Sequence, residues 1–285
     1  MNIPTTSIII PVYNEAAALG PLLNDINSLK LGDTAEIIVV DDGSTDQSSA
    51  IAAQNHATVL KHYTNRGYGA SLKTGILAAR GTFVITIDGD GQHSAHYIPE
   101  IIRLLQSHDM VIGQRLRAAK SDSYRMVGKW LVRLVGEFLV GKKLPDFNSG
   151  LRGFNRQLIL NRLHIMPNGF SFSTTSTIAF LQESYAVGTL PIDIKPRVGR
   201  KSTVRFFRDG AKTILLILRM ITLFNPLKLF FPASALLAGS GTIWGLYGVI
   251  TDDNLNKSSL LLILVGVFIF FFGLIADQLS LLNRK

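Results

Sequence analysis

Apolar and polar positions follow two rhythms along this chain, and the change from one to the other divides it. Through roughly the first 200 residues, short apolar runs alternate with stretches of helical period. Ser7–Val12, Glu36–Val40, Thr58–His62, Thr82–Ile87, Met110–Gly113 and Val187–Ile194 are brief and rich in Ile, Val and Thr, the mark of buried strands. Helices are predicted over Ala16–Leu31, Gln47–Asn55 and Ala70–Ala79, from near Pro99, and from Gly169–Ser173 to near Tyr185. The second of these should be capped by Ser44, Thr45 or Asp46, and Asn65–Gly69 reads as a loop. Strands alternating with helices predict an α/β fold, a parallel sheet with right-handed crossovers.

Two further segments are amphipathic and basic. Tyr124–Val140 sets Met126, Trp130, Leu131, Leu134, Val135 and Phe138 on one side. Phe206–Phe224 sets Ile214, Leu215, Ile217, Leu218 and Ile221 against Lys212 and Arg219, and suits either the lipid headgroup plane or a core-facing position. Then the rhythm changes. Leu229–Thr251 runs for 23 residues without a charge, and Ser258–Ala276 for 19. At about 1.5 Å per residue each can cross a hydrocarbon layer of about 30 Å. The expected organisation is a domain over 1–205, a juxtamembrane helix over 206–226, and two membrane helices over 227–250 and 258–282.

Charge orients this arrangement. The chain of 285 residues carries a net +9, unevenly spread. Residues 1–100 hold ten acidic and five basic side chains, 115–143 eight basic and two acidic, and 195–228 nine basic and one acidic. The loop from Asp252 to Lys257 is slightly acidic, while Arg205, Arg208, Lys212, Arg219 and Lys228 precede the first span. The positive-inside rule then places the large domain and both termini in the cytoplasm of a multi-pass protein of the cell (inner) membrane. Met1–Thr6 is short and uncharged, unlike a signal peptide. The absence of cysteine excludes disulfides, thiolate metal sites and cysteine nucleophiles. The basic belt fits an anionic partner, a membrane surface or a phosphorylated substrate. Nucleic acid is disfavoured, because acidic groups crowd the strand ends.

Those acidic groups are the candidate chemistry. Asn14-Glu15, Asp41-Asp42 and Asp88–Gln92 each follow a predicted strand, and parallel sheets bind ligands at the carboxyl ends of their strands. Asp88 and Asp90 flank one glycine and suit a hard divalent cation shared with substrate phosphates. The competing reading makes them a polar turn that caps the helix near Pro99.

Pro11-Val-Tyr-Asn-Glu15, Val40–Asp46, Asp88–Gln92, Gly113-Gln-Arg115 and Asn148–Arg152, in this order, resemble family-2 glycosyltransferases over most of residues 5–205. With two C-terminal spans, the chain is most similar to polyprenyl-phosphate glycosyltransferases related to dolichyl-phosphate mannose synthase. The resemblance implies a GT-A (Rossmann-like) fold, Mg²⁺ or Mn²⁺, and inverting transfer from a nucleotide sugar to undecaprenyl or dolichyl phosphate. It implies that Pro11, Tyr13, Glu15 and Val40 line the nucleotide pocket with Asp88 and Gly89, that Asp42 takes a hydrogen bond from the base, and that Asp41 shapes the turn. Asp88, Asp90 and Gln92 would hold the metal, Asp90 being the central catalytic residue, while His93 lies beside the site. Arg115 would act catalytically and, with Arg125, Arg197 and Lys201, meet the acceptor phosphate. A homo-oligomer is compatible with this reading.

Two departures bear on the acceptor. Ser171–Thr177 lacks an acid where relatives carry a Glu-Asp pair. A phosphate, ionised near neutral pH, needs cations rather than a base. Asp146 is then the one candidate base, for the alternative in which a lipid or glycan hydroxyl accepts. Arg200-Lys-Ser-Thr203 stands where relatives carry Gly-x-Ser-Lys, so Arg200 or Lys201 replaces that lysine, or these are charges facing anionic lipid.

Overall fold

In the computed structural model, residues 4–116, 123–196, 215–216, 218–252 and 256–282 are described. The chain divides into two compact units, Met1–Val127 with Lys142–Arg205, and Gly128–Gly141 with Phe206–Lys285. Residues 128–141 group with the C-terminal stretch in the second unit.

The first unit is built on seven strands, β1 Thr6–Val12, β2 Ala35–Asp41, β3 Thr58–Lys61, β4 Phe83–Thr86, β5 Met110–Arg115, β6 Arg152–Asn155 and β7 Val187–Ile192. Their order across the sheet is β3-β2-β1-β4-β6-β5-β7. The helices are α1 Ala16–Ser28, α2 Ser48–Gln54, α3 Tyr68–Ala78, α4 Ile98–Leu105, α5 Ser123–Val140, α6 Arg156–Asn161 and α7 Phe172–Gln182. Both faces of the sheet are covered, which is why β1 reads Thr-Ser-Ile-Ile-Ile-Pro-Val without alternation and is buried throughout. Ile8, Ile10 and Val12 pack with Leu19, Leu23 and Ile26 of α1 and with Ile98 and Ile101 of α4. Ile9 and Val40 face the other way, onto Gly75 of α3.

Every strand pair is parallel except those of β6, which lies antiparallel between β4 and β5. The sequence pattern predicts a parallel sheet and no strand here. Four residues, one of them a buried arginine, give no period-2 signal. Two other boundaries moved. α3 begins at Tyr68 rather than Ala70, because Gly69 is a packing residue: a Cβ there would lie 2.2 Å from the Pro167 carbonyl oxygen. The cap position of α2 is Gln47, whose side chain makes no cap bond. Asp46, one residue earlier, does that work through Ser48 N at 3.0 Å, and its other oxygen takes Ala16 N at 3.1 Å, joining the starts of α1 and α2.

In the second unit, α8 Leu227–Asp252 and α9 Lys257–Leu282 are each long and apolar enough to cross a membrane. They pack along a seam of small residues, Ser259, Gly266, Gly273 and Ser280, spaced by seven. A Cβ on Gly266 would come within 2.7 Å of Ala238 N, and one on Gly273 within 2.6 Å of Phe230 Cβ. Between membrane helices, where no hydrophobic effect drives association, this close approach supplies the packing. Lys228 donates from Nζ to the carbonyls of Phe138 and Leu139 at 3.1 and 3.0 Å, closing the end of α5. Of the segment expected to be a juxtamembrane helix, residues 215–216 and 218–224 are helical, and 206–214 lie outside the described residues.

Candidate functional site

Parallel pairing sets the ends of three strands side by side, with Val12 opposite Asp41 and Ile9 opposite Thr86. The polar clusters that follow β1, β2 and β4 therefore meet, as their spacing predicts.

At the end of β2 the two aspartates differ. Asp41 accepts from Ser44 N at 2.8 Å and from the Ser49 hydroxyl, so it builds the turn. Burial alone would raise its carboxyl, but these bonds from Ser44 and Ser49 hold it below the usual value. Asp42, only 3% exposed, is tied to the next strand and loop. Its Oδ1 accepts from His62 Nδ1 at 2.7 Å and Arg66 N at 2.9 Å, and its Oδ2 from Gly67 N at 2.8 Å. Asn14, at φ 57°, accepts Thr45 N at 2.7 Å and completes this corner.

At the end of β4, Asp88 accepts a hydrogen bond from the Tyr68 hydroxyl at 2.8 Å, and the buried His93 places Nε2 3.9 Å away. Burial, then the Asp88 charge, pushes the Tyr68 phenol well above its ordinary value, so it donates as a neutral group. Tyr68 stacks on Phe170, whose ring is 84% exposed. Asp90 accepts Gln92 N at 3.1 Å, and the Gln92 carbonyl receives Lys195 N at 2.9 Å. α4 has Tyr97 as its cap and no side-chain cap bond, which removes the reading of Asp88 and Asp90 as helix caps. Among the described residues, no three His, Cys, Asp or Glu side chains gather into a metal cage. Mg²⁺ and Mn²⁺ with a nucleotide use one or two carboxylates, the phosphates and water. Asp88 and Asp90, two residues apart on one turn, fit that donor set.

A second cluster lies on the turn into β6. Asp146 receives two bonds from Arg115, at 2.5 Å from Nε and 2.8 Å from Nη2. Arg152, 1% exposed, donates to the carbonyls of Phe147 at 2.7 Å and Ser149 at 2.6 Å, and to the Thr177 hydroxyl at 2.7 Å. Burial pushes its guanidinium down to about 10, which leaves it charged at neutral pH. Between the clusters sits Gly150. A Cβ there would lie 1.9 Å from Asp88 Oδ2, so the turn has a gap shaped to that carboxylate.

The predicted residues sort accordingly. Asp42 N donates to the Val12 carbonyl at 2.8 Å and a Cβ on Gly89 would lie 3.0 Å from Val12 Cγ2, so both flank the end of β1, where Pro11, Tyr13 and Glu15 lie, and Asp88, Asp90 and Gln92 share the Gly89 turn. Val40 is fully buried and turns its Cγ2 toward Gly75. Arg115 stands on β5 in the second cluster. Arg197, Arg200 and Lys201 lie outside the described residues, as does the side chain of Arg125. His62 and Tyr68 were not singled out from the sequence, and Arg152 entered only as the end of the Asn148–Arg152 motif. An isolated His at a strand end and a Tyr in an apparent loop carry no pattern, and only the pairing of β2 with β3 shows what His62 touches.

Residues 7–163 match the model of glycosyl transferase family 2, and 225–282 that of the GtrB C-terminal hairpin. The undecaprenyl-phosphate 4-deoxy-4-formamido-L-arabinose transferase of Pseudomonas aeruginosa is 35% identical over 191 residues, 60% of this chain and 56% of its own length. The chain thus spans little more than half of that relative. Glycosyltransferase AglJ of Haloferax volcanii is 25% identical over 291 residues, 98% of this chain and 94% of its own length. Among solved structures, glucosyl-3-phosphoglycerate synthase from Mycobacterium tuberculosis, in complex with Mn²⁺, UDP-glucose and phosphoglyceric acid, superposes with a TM-score of 0.60 at 20% identity, over 77% of this chain and 79% of that one. The order of the strands, the acidic strand ends and the matched 7–163 span agree: the chain belongs to glycosyl transferase family 2 and has the GT-A fold.

Proposed function

We propose that this protein transfers a hexose, with inversion, from a nucleoside-diphosphate sugar such as UDP-glucose or GDP-mannose to a polyprenyl phosphate at the cytoplasmic face of the membrane. The observation that carries the acceptor half is the Arg115–Asp146 pair. Burial alone would raise Asp146, but the Arg115 hydrogen bonds and charge keep its carboxyl below the ordinary value. A carboxylate so held is a weak base. Transfer to a hydroxyl would need a base here, whereas a lipid phosphate attacks already ionised. The relatives named for undecaprenyl phosphate support the same acceptor.

On this reading the donor lies across the ends of β1, β2 and β4. Asp42 meets the base, Tyr13 and Glu15 line the pocket beside Pro11, and Asp88, Asp90 and Gln92 face the diphosphate. Mg²⁺ or Mn²⁺ held there supplies charge that stabilises the departing diphosphate, and the mycobacterial neighbour's Mn²⁺ complex favours such an ion. Arg115 orients the acceptor phosphate, with Arg125, Arg197 and Lys201 as further cations. Asp146 fixes the Arg115 fork, so the phosphate meets a preorganised planar donor. The deciding experiment offers the detergent-solubilised chain a short polyprenyl phosphate and the matching polyprenol, with each donor, with Mn²⁺ or a chelator. Transfer to the phosphate alone, abolished by the chelator, is expected. Equal transfer to the alcohol would refute the acceptor, and undiminished transfer under chelation would refute the metal.

A further inference from the structure

We infer that the exposed ring of Phe170 is the platform on which the transferred sugar rests, its open face stacking on the C–H face of the pyranose. The inference rests on the nucleotide-sugar reading above and adds a sugar-positioning residue to it.

Phe170 is 84% exposed, yet its loop is firmly seated. A Cβ on Gly67 would lie 2.6 Å from the Asn168 carbonyl oxygen, and one on Gly69 2.8 Å from that of Gly169, so the loop rests directly on the start of α3. Ala70 N donates to the same Asn168 oxygen at 3.0 Å. The fully buried Phe172, two residues on, takes the core position and leaves Phe170 outside. There its ring lies on that of Tyr68, with centroids 5.6 Å apart and planes 17° from parallel. Tyr68 covers one face, and the exposure lies on the other. Covering that open face with apolar surface is favourable.

What covers it follows from its place. Tyr68 donates to Asp88 at 2.8 Å, and on the proposed reading Asp88 faces the donor diphosphate. The sugar is the group joined to that diphosphate. α3, which Tyr68 opens, packs on β1 and β2, whereas Arg115 stands on β5, beyond β4 and β6. The ring therefore belongs to the donor side of Asp88, away from the cation assigned to the acceptor phosphate. A pyranose carries hydroxyls around its rim and C–H bonds on its faces. The negative face of an aromatic ring attracts such weakly positive hydrogens.

The test is calorimetric titration of the full chain in detergent with Mn²⁺, using UDP-glucose, UDP, GDP-mannose and GDP. Phe170→Ala is expected to weaken the nucleotide sugar that the wild type binds by about threefold to tenfold, and to change the matching diphosphate by less than about twofold. Phe170→Tyr should keep the wild-type affinity for both. Equal losses for nucleotide sugar and diphosphate, or no loss for either, would overturn the inference. So would unchanged nucleotide-sugar binding with a raised KM for a polyprenyl phosphate, which would give the ring to the lipid. If the wild type binds none of these ligands, the donor half of the proposed function falls and the platform with it. If Phe170→Ala separates nucleotide sugar from diphosphate but the wild type transfers no sugar to a polyprenyl phosphate, the acceptor half alone falls and the platform stands.

Discussion

Asp146 and Gly150 carry the most informative single-residue tests. The Asp146 carboxyl lies below its ordinary value in the folded chain, so the pair with Arg115 contributes fully above about pH 4 and loses its contribution as pH falls below that. The thermal midpoints of the wild type and Asp146→Asn should therefore differ by a constant amount from pH 5 upward and converge in acid. Asp146→Asn should also lower kcat/KM for a polyprenyl phosphate by about ten- to a hundredfold, the cost of a loosened positioning group, without moving the pH–rate profile. A profile that lost its acidic limb would mark Asp146 as the base. At Gly150 the added methyl of Gly150→Ala must displace Asp88 or the turn, at about 1–3 kcal/mol. A thermal-shift series should show that loss together with weaker Mn²⁺ binding; a variant with unaltered Mn²⁺ affinity would separate Asp88 from the metal.

Among the elements, β6 decides how the site is made. Its antiparallel insertion carries Arg152 into the core, where the guanidinium holds carbonyls of the preceding turn. Arg152→Met should cost about 3–5 kcal/mol, measured as thermal stability in detergent, because several buried carbonyl and hydroxyl groups lose a donor at once. Arg152→Lys should recover little, since an ammonium cannot reproduce the guanidinium fork. β1, β2, β4 and the crevice at their ends were legible because long Ile/Val runs announce strands covered on both faces, and their acidic ends are adjacent in sequence to those runs. β6 was not legible, because four residues around a buried charge obey no period and their place depends on partners far along the chain. Asp42 shows the same limit in miniature. Its identity was readable, whereas its occupancy by His62, Arg66 and Gly67 depends on how β3 and the following loop return to β2.

At the scale of the whole molecule, the hairpin α8–α9 exposes large apolar side chains such as Trp244, Phe268, Phe271 and Phe272 along its length. A contiguous apolar surface of this kind belongs in lipid. The protein should stay with membranes through alkaline carbonate washing and be released by detergent. Protease added to right-side-out vesicles should spare the unit containing Asp88 and Asp90, and digestion of that unit would overturn the proposed orientation. One consequence follows from the turn between Asp146 and Arg152. It grips Arg115 at one end and leaves the gap for Asp88 in its middle. A ligand that moves either carboxylate therefore acts on the same turn. Linkage makes such an influence reciprocal: if Mn²⁺ and nucleotide at Asp88 tighten the hold on a lipid phosphate at Arg115, the lipid must tighten the hold on the nucleotide by the same factor. The enzyme would then favour the complex with both substrates aboard and release each more readily once the other has gone.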